Sequence, residues 1–169
     1  RGVSGSLVAP SHQGTLELSA NHTGLGAHSG KASPLSGTTT IRLQSRTIQA
    51  ENFSKNGGPK LLNESAKDGK AFIGAINHDQ WSEYHRFRLR GCQKITLYYA
   101  SAGPGATVTV TANDKKIATA QLKPTGDWNK WKEVTVPLQN LPGGLVNLRL
   151  TFTNPGQKHL TNLDWFRFE

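Results

Sequence analysis

No stretch of ten or more residues in this chain carries apolar side chains at three-and-four spacing without a Gly, Pro or β-branched cluster interrupting it, so amphipathic helices have no pattern to form on. Period-two alternation appears instead, in Thr15-Leu-Glu-Leu-Ser, Thr40-Ile-Arg-Leu-Gln, Lys94-Ile-Thr-Leu-Tyr-Tyr, Ala106-Thr-Val-Thr-Val-Thr, Lys132-Glu-Val-Thr-Val-Pro-Leu and Leu145-Val-Asn-Leu-Arg-Leu-Thr-Phe. Each run puts alternate side chains on opposite faces of a strand, and each is bounded by turn formers such as Gly103-Pro-Gly and Pro142-Gly-Gly. Short strands spaced by turns in this way predict an all-β chain, a two-sheet antiparallel β-sandwich of the jelly-roll type.

The 169 residues suffice for one domain with an appendage. Composition shifts near residue 46. All thirteen aromatic residues follow Arg46, whereas the preceding stretch holds two visible strands and Gly/Ser-rich segments such as Ala27-His-Ser-Gly-Lys-Ala-Ser-Pro. The division expected is a domain at 47–169, with 1–46 the remnant or linker of a preceding domain. Residue 1 is Arg, so the sequence reads as a processed or excised piece, and the lack of a leader carries no information about compartment. No apolar run is long enough to cross a bilayer as a helix. A single cysteine, Cys92, excludes an internal disulfide and a cysteine-built zinc site, and reads as a small buried residue. The net charge of +9 would suit an anionic polymer, yet the Lys and Arg residues are scattered singly and no nucleic-acid motif localises them.

Four stretches of 47–169, in order, resemble the family 6 carbohydrate-binding modules: Thr47-Ile-Gln-Ala-Glu-Asn-Phe, Gly69-Lys-Ala-Phe-Ile-Gly-Ala-Ile-Asn-His-Asp-Gln-Trp-Ser-Glu-Tyr, Thr125-Gly-Asp-Trp-Asn-Lys-Trp and Asn162-Leu-Asp-Trp-Phe-Arg-Phe. The resemblance implies a β-sandwich that holds polysaccharide or oligosaccharide near a glycosidase catalytic domain without cutting it. It also implies an extracellular, cell-surface or periplasmic protein. Residues 1–46 faintly resemble the end of an immunoglobulin-like domain of family 2 glycoside hydrolases, which would make the module the last part of such an enzyme. The alternative reading is a structural or protein-interaction sandwich whose glycan cleft has decayed.

A sugar ring offers an apolar C–H face and a rim of hydroxyls, so its site needs an exposed aromatic and a few amides or carboxylates. Trp128, in a Gly-Asp-Trp-Asn turn with no evident core to enter, suits stacking; the other reading is a lid on the core. Trp131, at the head of an alternating strand, is assigned to the core. By the resemblance, Trp128 is the stacking tryptophan, Asn162 a hydrogen-bonding asparagine and Glu64 a loop carboxylate. Without it, Asn162 reads as a turn residue and Glu64 as a solvated charge. One position departs from the family pattern: the second aromatic of the clamp, six residues before Trp81, is Ala75 here. Either the cleft is wider and takes a branched or bulkier sugar, with Phe72 or His78 moving in, or it is inactive. Family members also bind on the concave face of one sheet, where Trp81, Glu83 and His85 would point together by alternation.

Gln49 and Glu51, two apart on one strand face, and Asp164 in the final motif match positions around a structural Ca²⁺ in the family, and oxygen ligands are what that hard cation takes. An exposed edge-strand pair without metal is the alternative. Catalysis is not expected: no His-Glu-x-x-His, Gly-x-Ser-x-Gly or phosphate loop is present. His12, His22 and His28 read as solvated loop residues, and Asn21, Asn52 and Asn63 as chance glycosylation matches. No membrane or nucleic acid is expected as a partner. Arg86, Arg88 and Arg90 near one strand, with Lys130 and Lys132 beside Trp128, would favour an acidic polysaccharide, or else form a solubilising face.

Overall fold

A computed structural model describes residues 2–11, 15–23, 36–63 and 71–169. The chain divides into two compact units, Arg1–Ser45 and Arg46–Glu169. In the first, β1 (Gly2–Ser11), β2 (Thr15–Thr23) and β3 (Ser36–Gln44) form an antiparallel sheet in that order. The expected runs at Thr15 and Thr40 lie in β2 and β3. β1 is a third strand that alternation does not reveal. Its Gly- and Ser-rich sequence has little strand propensity, and its ladder with β2, from Gly2↔Thr23 to Val8↔Glu17, is a pairing of backbones.

The second unit holds β4 (Thr47–Gln49), β5 (Lys55–Gly57), β6 (Lys60–Leu62), β7 (Phe72–Gly74), β8 (Gln80–Phe87), β9 (Lys94–Ala100), β10 (Ala106–Ala112), β11 (Lys115–Leu122), β12 (Lys132–Pro137), β13 (Val146–Thr153) and β14 (Asn162–Phe168). One sheet has the order β11-β10-β13-β8-β5; the other runs β12-β9-β14-β7-β6, with β4 also paired to β14. Every pairing is antiparallel. The fold is an all-β two-sheet sandwich, with no helix among the described residues.

Alternation decides which side chains fill the space between the sheets. Val108, Val110, Leu148, Leu150, Phe152 and Tyr84 enter from the five-stranded sheet, and Ile95, Leu97, Tyr99, Leu163, Phe166 and Phe168 from the other. Each such aliphatic or aromatic residue contributes about 1.5–3 kcal/mol of burial. Cys92 is buried in this core, just ahead of β9. Tyr84, fully enclosed, donates its hydroxyl to the Ala50 carbonyl at 2.8 Å, tying β8 to the turn after β4 in the opposite sheet. Burial pushes its phenol well above the ordinary tyrosine range.

Candidate functional site

An open cavity of about 580 Å³ lies where β6, β7 and the start of β14 meet the β11–β12 and β13–β14 loops; Leu62, Phe72, Ala75, Trp128, Asn129, His159 and Asn162 line it. Trp128 is half-buried and stands in the β11–β12 loop. That loop is pinned at its base. Ser101 N–H donates to Thr125 Oγ1 at 2.9 Å, Thr125 N–H returns a bond to the Ser101 carbonyl at 2.7 Å, and Ser101 Oγ donates to the Leu160 carbonyl at 2.6 Å. One buried serine therefore joins the two loops that carry Trp128 and His159. Asp127 Oδ1 accepts the Asn129 N–H at 2.7 Å, closing the turn around the indole.

Glycines admit close approaches that side chains would block. A Cβ on Gly103 would overlap the His159 carbonyl and crowd the Trp128 ring, so the absence of one lets both reach the same wall. A Cβ on Gly74 would overlap Asn162 Oδ1, so Gly74 makes room for that amide on the neighbouring strand. Asn162 itself is 5% exposed and lines the cavity.

Of the residues singled out in the sequence, the fold brings Trp128, Asn162 and Ala75 to this one cavity; Glu64, with His12 and His28, lies outside the described residues. Phe72 lines the wall, while His78 does not: its Nδ1 accepts the Asn154 N–H at 3.2 Å and its Nε2 lies 3.3 Å from Asp79. Leu62, Asn129 and His159 escaped the sequence reading. Nothing in a lone His, Asn or Leu signals a wall whose parts lie some hundred residues apart in the chain. Trp131 differs from its core assignment. It precedes β12, is half-buried, stacks on Tyr98 at 5.4 Å and meets Phe72 edge-on at 5.4 Å.

A second cluster occupies the outer face of the five-stranded sheet. Glu83 accepts from Arg149 Nη2 at 2.7 Å and Nε at 3.1 Å, and its other oxygen lies 2.6 Å from His85 Nε2. The His85 bond, then Arg149, holds the Glu83 carboxyl below the usual range. The Arg149 guanidinium also lies 4.4 Å from the centre of the Trp81 ring, and that ring fills the space a Cβ on Gly57 would take. Trp81, Glu83 and His85 thus share a face, and Arg149 covers the indole.

At the β4–β14 edge, Trp165 pairs with Gln49 and Ala50 N–H donates to the Asp164 carbonyl at 2.7 Å. β4 ends at Gln49, so Glu51 sits in the turn after the strand and not on its face. Even so, three side-chain oxygens there, Gln49 Oε1, Glu51 Oε2 and Asp164 Oδ1, are sealed from solvent and accept no hydrogen bond; Glu51 and Asp164 have other interactions. Two carboxylates and an amide, all oxygen donors, fit a hard cation.

Comparison with known proteins follows the same outline. The sequence model of carbohydrate binding module family 6 matches residues 49–169. Endo-1,4-beta-xylanase A of Thermoclostridium stercorarium is 27% identical over 145 residues, 83% of this chain and 21% of the xylanase, so the chain spans about a fifth of that relative. A β-1,3-glucan-binding family 6 module from Bacillus halodurans superposes with a TM-score of 0.68 and 28% identity, covering 74% of this chain and 96% of its own. A family 6 module from Clostridium cellulolyticum, solved with xylose, gives 0.67 at 22% identity over 74% of this chain and 97% of its own, a likeness of fold.

Proposed function

This chain belongs to family 6 of the carbohydrate-binding modules, and from that premise we propose that the cavity beside Trp128 is where it grips its glycan. Modules of this family bind carbohydrate without catalysing its cleavage. One observation carries the assignment: Trp128, Asn129, His159 and Asn162 line a single open cavity whose volume lies in the range of small-ligand sites. A pyranose ring would stack its C–H face on the indole, and the amides of Asn129 and Asn162 can each offer a donor and an acceptor to its hydroxyls. Such bonds replace bonds to water and return little net free energy. A dissociation constant of about 10 µM to 1 mM follows for one site.

Two relatives are named for xylan cleavage and β-1,3-glucan binding, which supports a β-linked backbone as the polymer. The same xylanase match supports a module carried on a glycoside hydrolase that works outside the cell, where weak single-site binding gains from attachment. The outer-face cluster at Trp81 is the weaker candidate, because stacking there requires Arg149 to leave the ring it covers.

The β4–β14 edge would hold a structural Ca²⁺ through Gln49, Glu51 and Asp164. Two carboxylate oxygens and one amide oxygen sealed from solvent at this edge are the donor chemistry a hard cation takes. The ion would clasp the first and last strands of the sandwich and take no part in gripping sugar.

Affinity electrophoresis of the chain and its Trp128→Ala variant through xylan and β-1,3-glucan gels, with calcium present, tests the site. Retardation that Trp128→Ala removes supports it. Retardation that persists undiminished transfers the site to the Trp81 face, and an unretarded wild type denies both.

A further inference from the structure

The two sides of the cavity are unequal, and the inequality bears on which sugar fits. On one side stands the Trp128 indole; the described residues of the other are Ala75, Leu62 and its cross-strand neighbour Phe72, with alanine where the family resemblance expects a stacking ring. Among the lining residues His159 alone has a titratable side chain, and no carboxylate lines the cavity among the described residues. Lys130 follows Asn129 and Lys158 precedes His159; both are exposed, and neither forms an ion pair with another described residue. Elsewhere in the sandwich, Glu83 pairs with His85 and Arg149, and Glu169 with Lys94 and Arg167. Asp127, the nearest in sequence, is turned to the Asn129 N–H. Next to the lining residues the chain thus carries two positive charges, Lys130 and Lys158, against one negative, Asp127, a balance that favours an anionic ligand.

Resting on the reading of this cavity as the glycan site, we propose that it selects an acidic sugar, its ring on Trp128 and its carboxylate or sulfate toward His159, with Lys158 and Lys130 supplying the surrounding charge. Gly103 is what makes the spacing work, since only without a Cβ there can the His159 backbone and the Trp128 ring share one wall. An imidazole N–H donates to an anion whether the ring is neutral or charged. Bonds to an ionised acceptor are about twice as strong as those between neutral partners, so an anionic group bound here adds more to preference than the hydroxyl it replaces.

The test is isothermal titration of the chain with two matched pairs of oligosaccharides: xylo-oligosaccharide with and without a glucuronate branch, and galacto-oligosaccharide with and without a sulfate ester. We expect one acidic member to bind about tenfold tighter than its neutral partner, with the gap closing at high salt. Whichever pair shows it identifies the anion as carboxylate or sulfate. His159 has a positive φ of 51°, so His159→Gly removes the side chain without backbone strain, and Lys158→Gln removes charge alone. Both should narrow the gap to about threefold or less; Trp128-dependent neutral binding should stay in Lys158→Gln, whose site lies outside the cavity lining, whereas His159→Gly should weaken both members of a pair and the acidic one more. Equal affinity within each pair, or a preference that survives both substitutions, overturns the proposal while leaving the Trp128 site standing. Absence of all binding overturns the site and the proposal together.

Discussion

Ala75 holds a backbone that few residues adopt, with φ 52°, in the left-handed region that costs a non-glycine residue about 1–2 kcal/mol. Its methyl faces a cavity where the family resemblance expects an aromatic. Because that strain is already present with alanine, a larger side chain adds little further backbone penalty. Ala75→Tyr should therefore fold, supply a second stacking face worth about 0.5–1.5 kcal/mol, and raise affinity for a linear unsubstituted oligosaccharide several-fold. The same ring should lower affinity for a branched or substituted one. Titration with a linear and a branched oligosaccharide on the same backbone checks both signs, and a parallel rise in the two would mean that the width at Ala75 does not govern selection.

At the scale of the element, the β11–β12 loop is anchored by a row of rings on the outer face of the six-stranded sheet. Phe72 meets Trp131 edge-on, Trp131 stacks on Tyr98 at an interplanar angle of 24°, Tyr98 on Trp165 at 19°, and Arg167 lies 5.2 Å over Trp165. The inner faces of these rings are turned to one another, so the row buttresses the cavity wall. Trp131→Ala removes two ring contacts, about 1–3 kcal/mol in all. It should weaken glycan binding with Trp128 still in place, read as a lower melting temperature together with a larger dissociation constant. A fall in melting temperature with unchanged affinity would confine Trp131 to stability. This row also marks where sequence reasoning stops. The alternating runs of β9, β10, β12 and β13 were legible because burial on one face writes itself as period two. β1 was not, since its strand character is lent by a neighbour, and Trp131 was misplaced because an aromatic beside a strand can be covered from outside by other rings as well as by a core. Trp128 and Asn162 were legible through the motifs that carry them. Leu62, Asn129 and His159 were not, because a cavity wall is a spatial set.

For the whole molecule, stability should depend on two solution conditions, calcium and pH. If Ca²⁺ joins the β4 edge to Asp164 on β14, calcium should raise the melting temperature and a chelator lower it; a concentration a hundredfold above the dissociation constant is worth about 2.7 kcal/mol. Glu51→Gln and Asp164→Asn should abolish the calcium response, and a melting temperature blind to calcium in the wild type would refute the site. Acid works through other groups. Hydrogen bonds from Lys94 and Arg167 hold the Glu169 carboxyl down to about 2, and those from His85 and Arg149 lower Glu83 from 4.5. A carboxylate whose folded pKa lies below its unfolded value stabilises the fold fully above the unfolded value, and loses that contribution as pH falls through the folded one. With chelator present, to remove any metal contribution, the melting temperature should be flat from pH 7 to 5 and decline between about 4.5 and 2. Protonation also adds to a net charge that is already +9, and the resulting repulsion acts in the same direction. Replacing Glu83 by Gln should lower stability at neutral pH, because Arg149 and His85 lose their charged partner, and should make the acid decline shallower. A decline of unchanged depth in that variant would show that Glu83 contributes nothing to the acid transition.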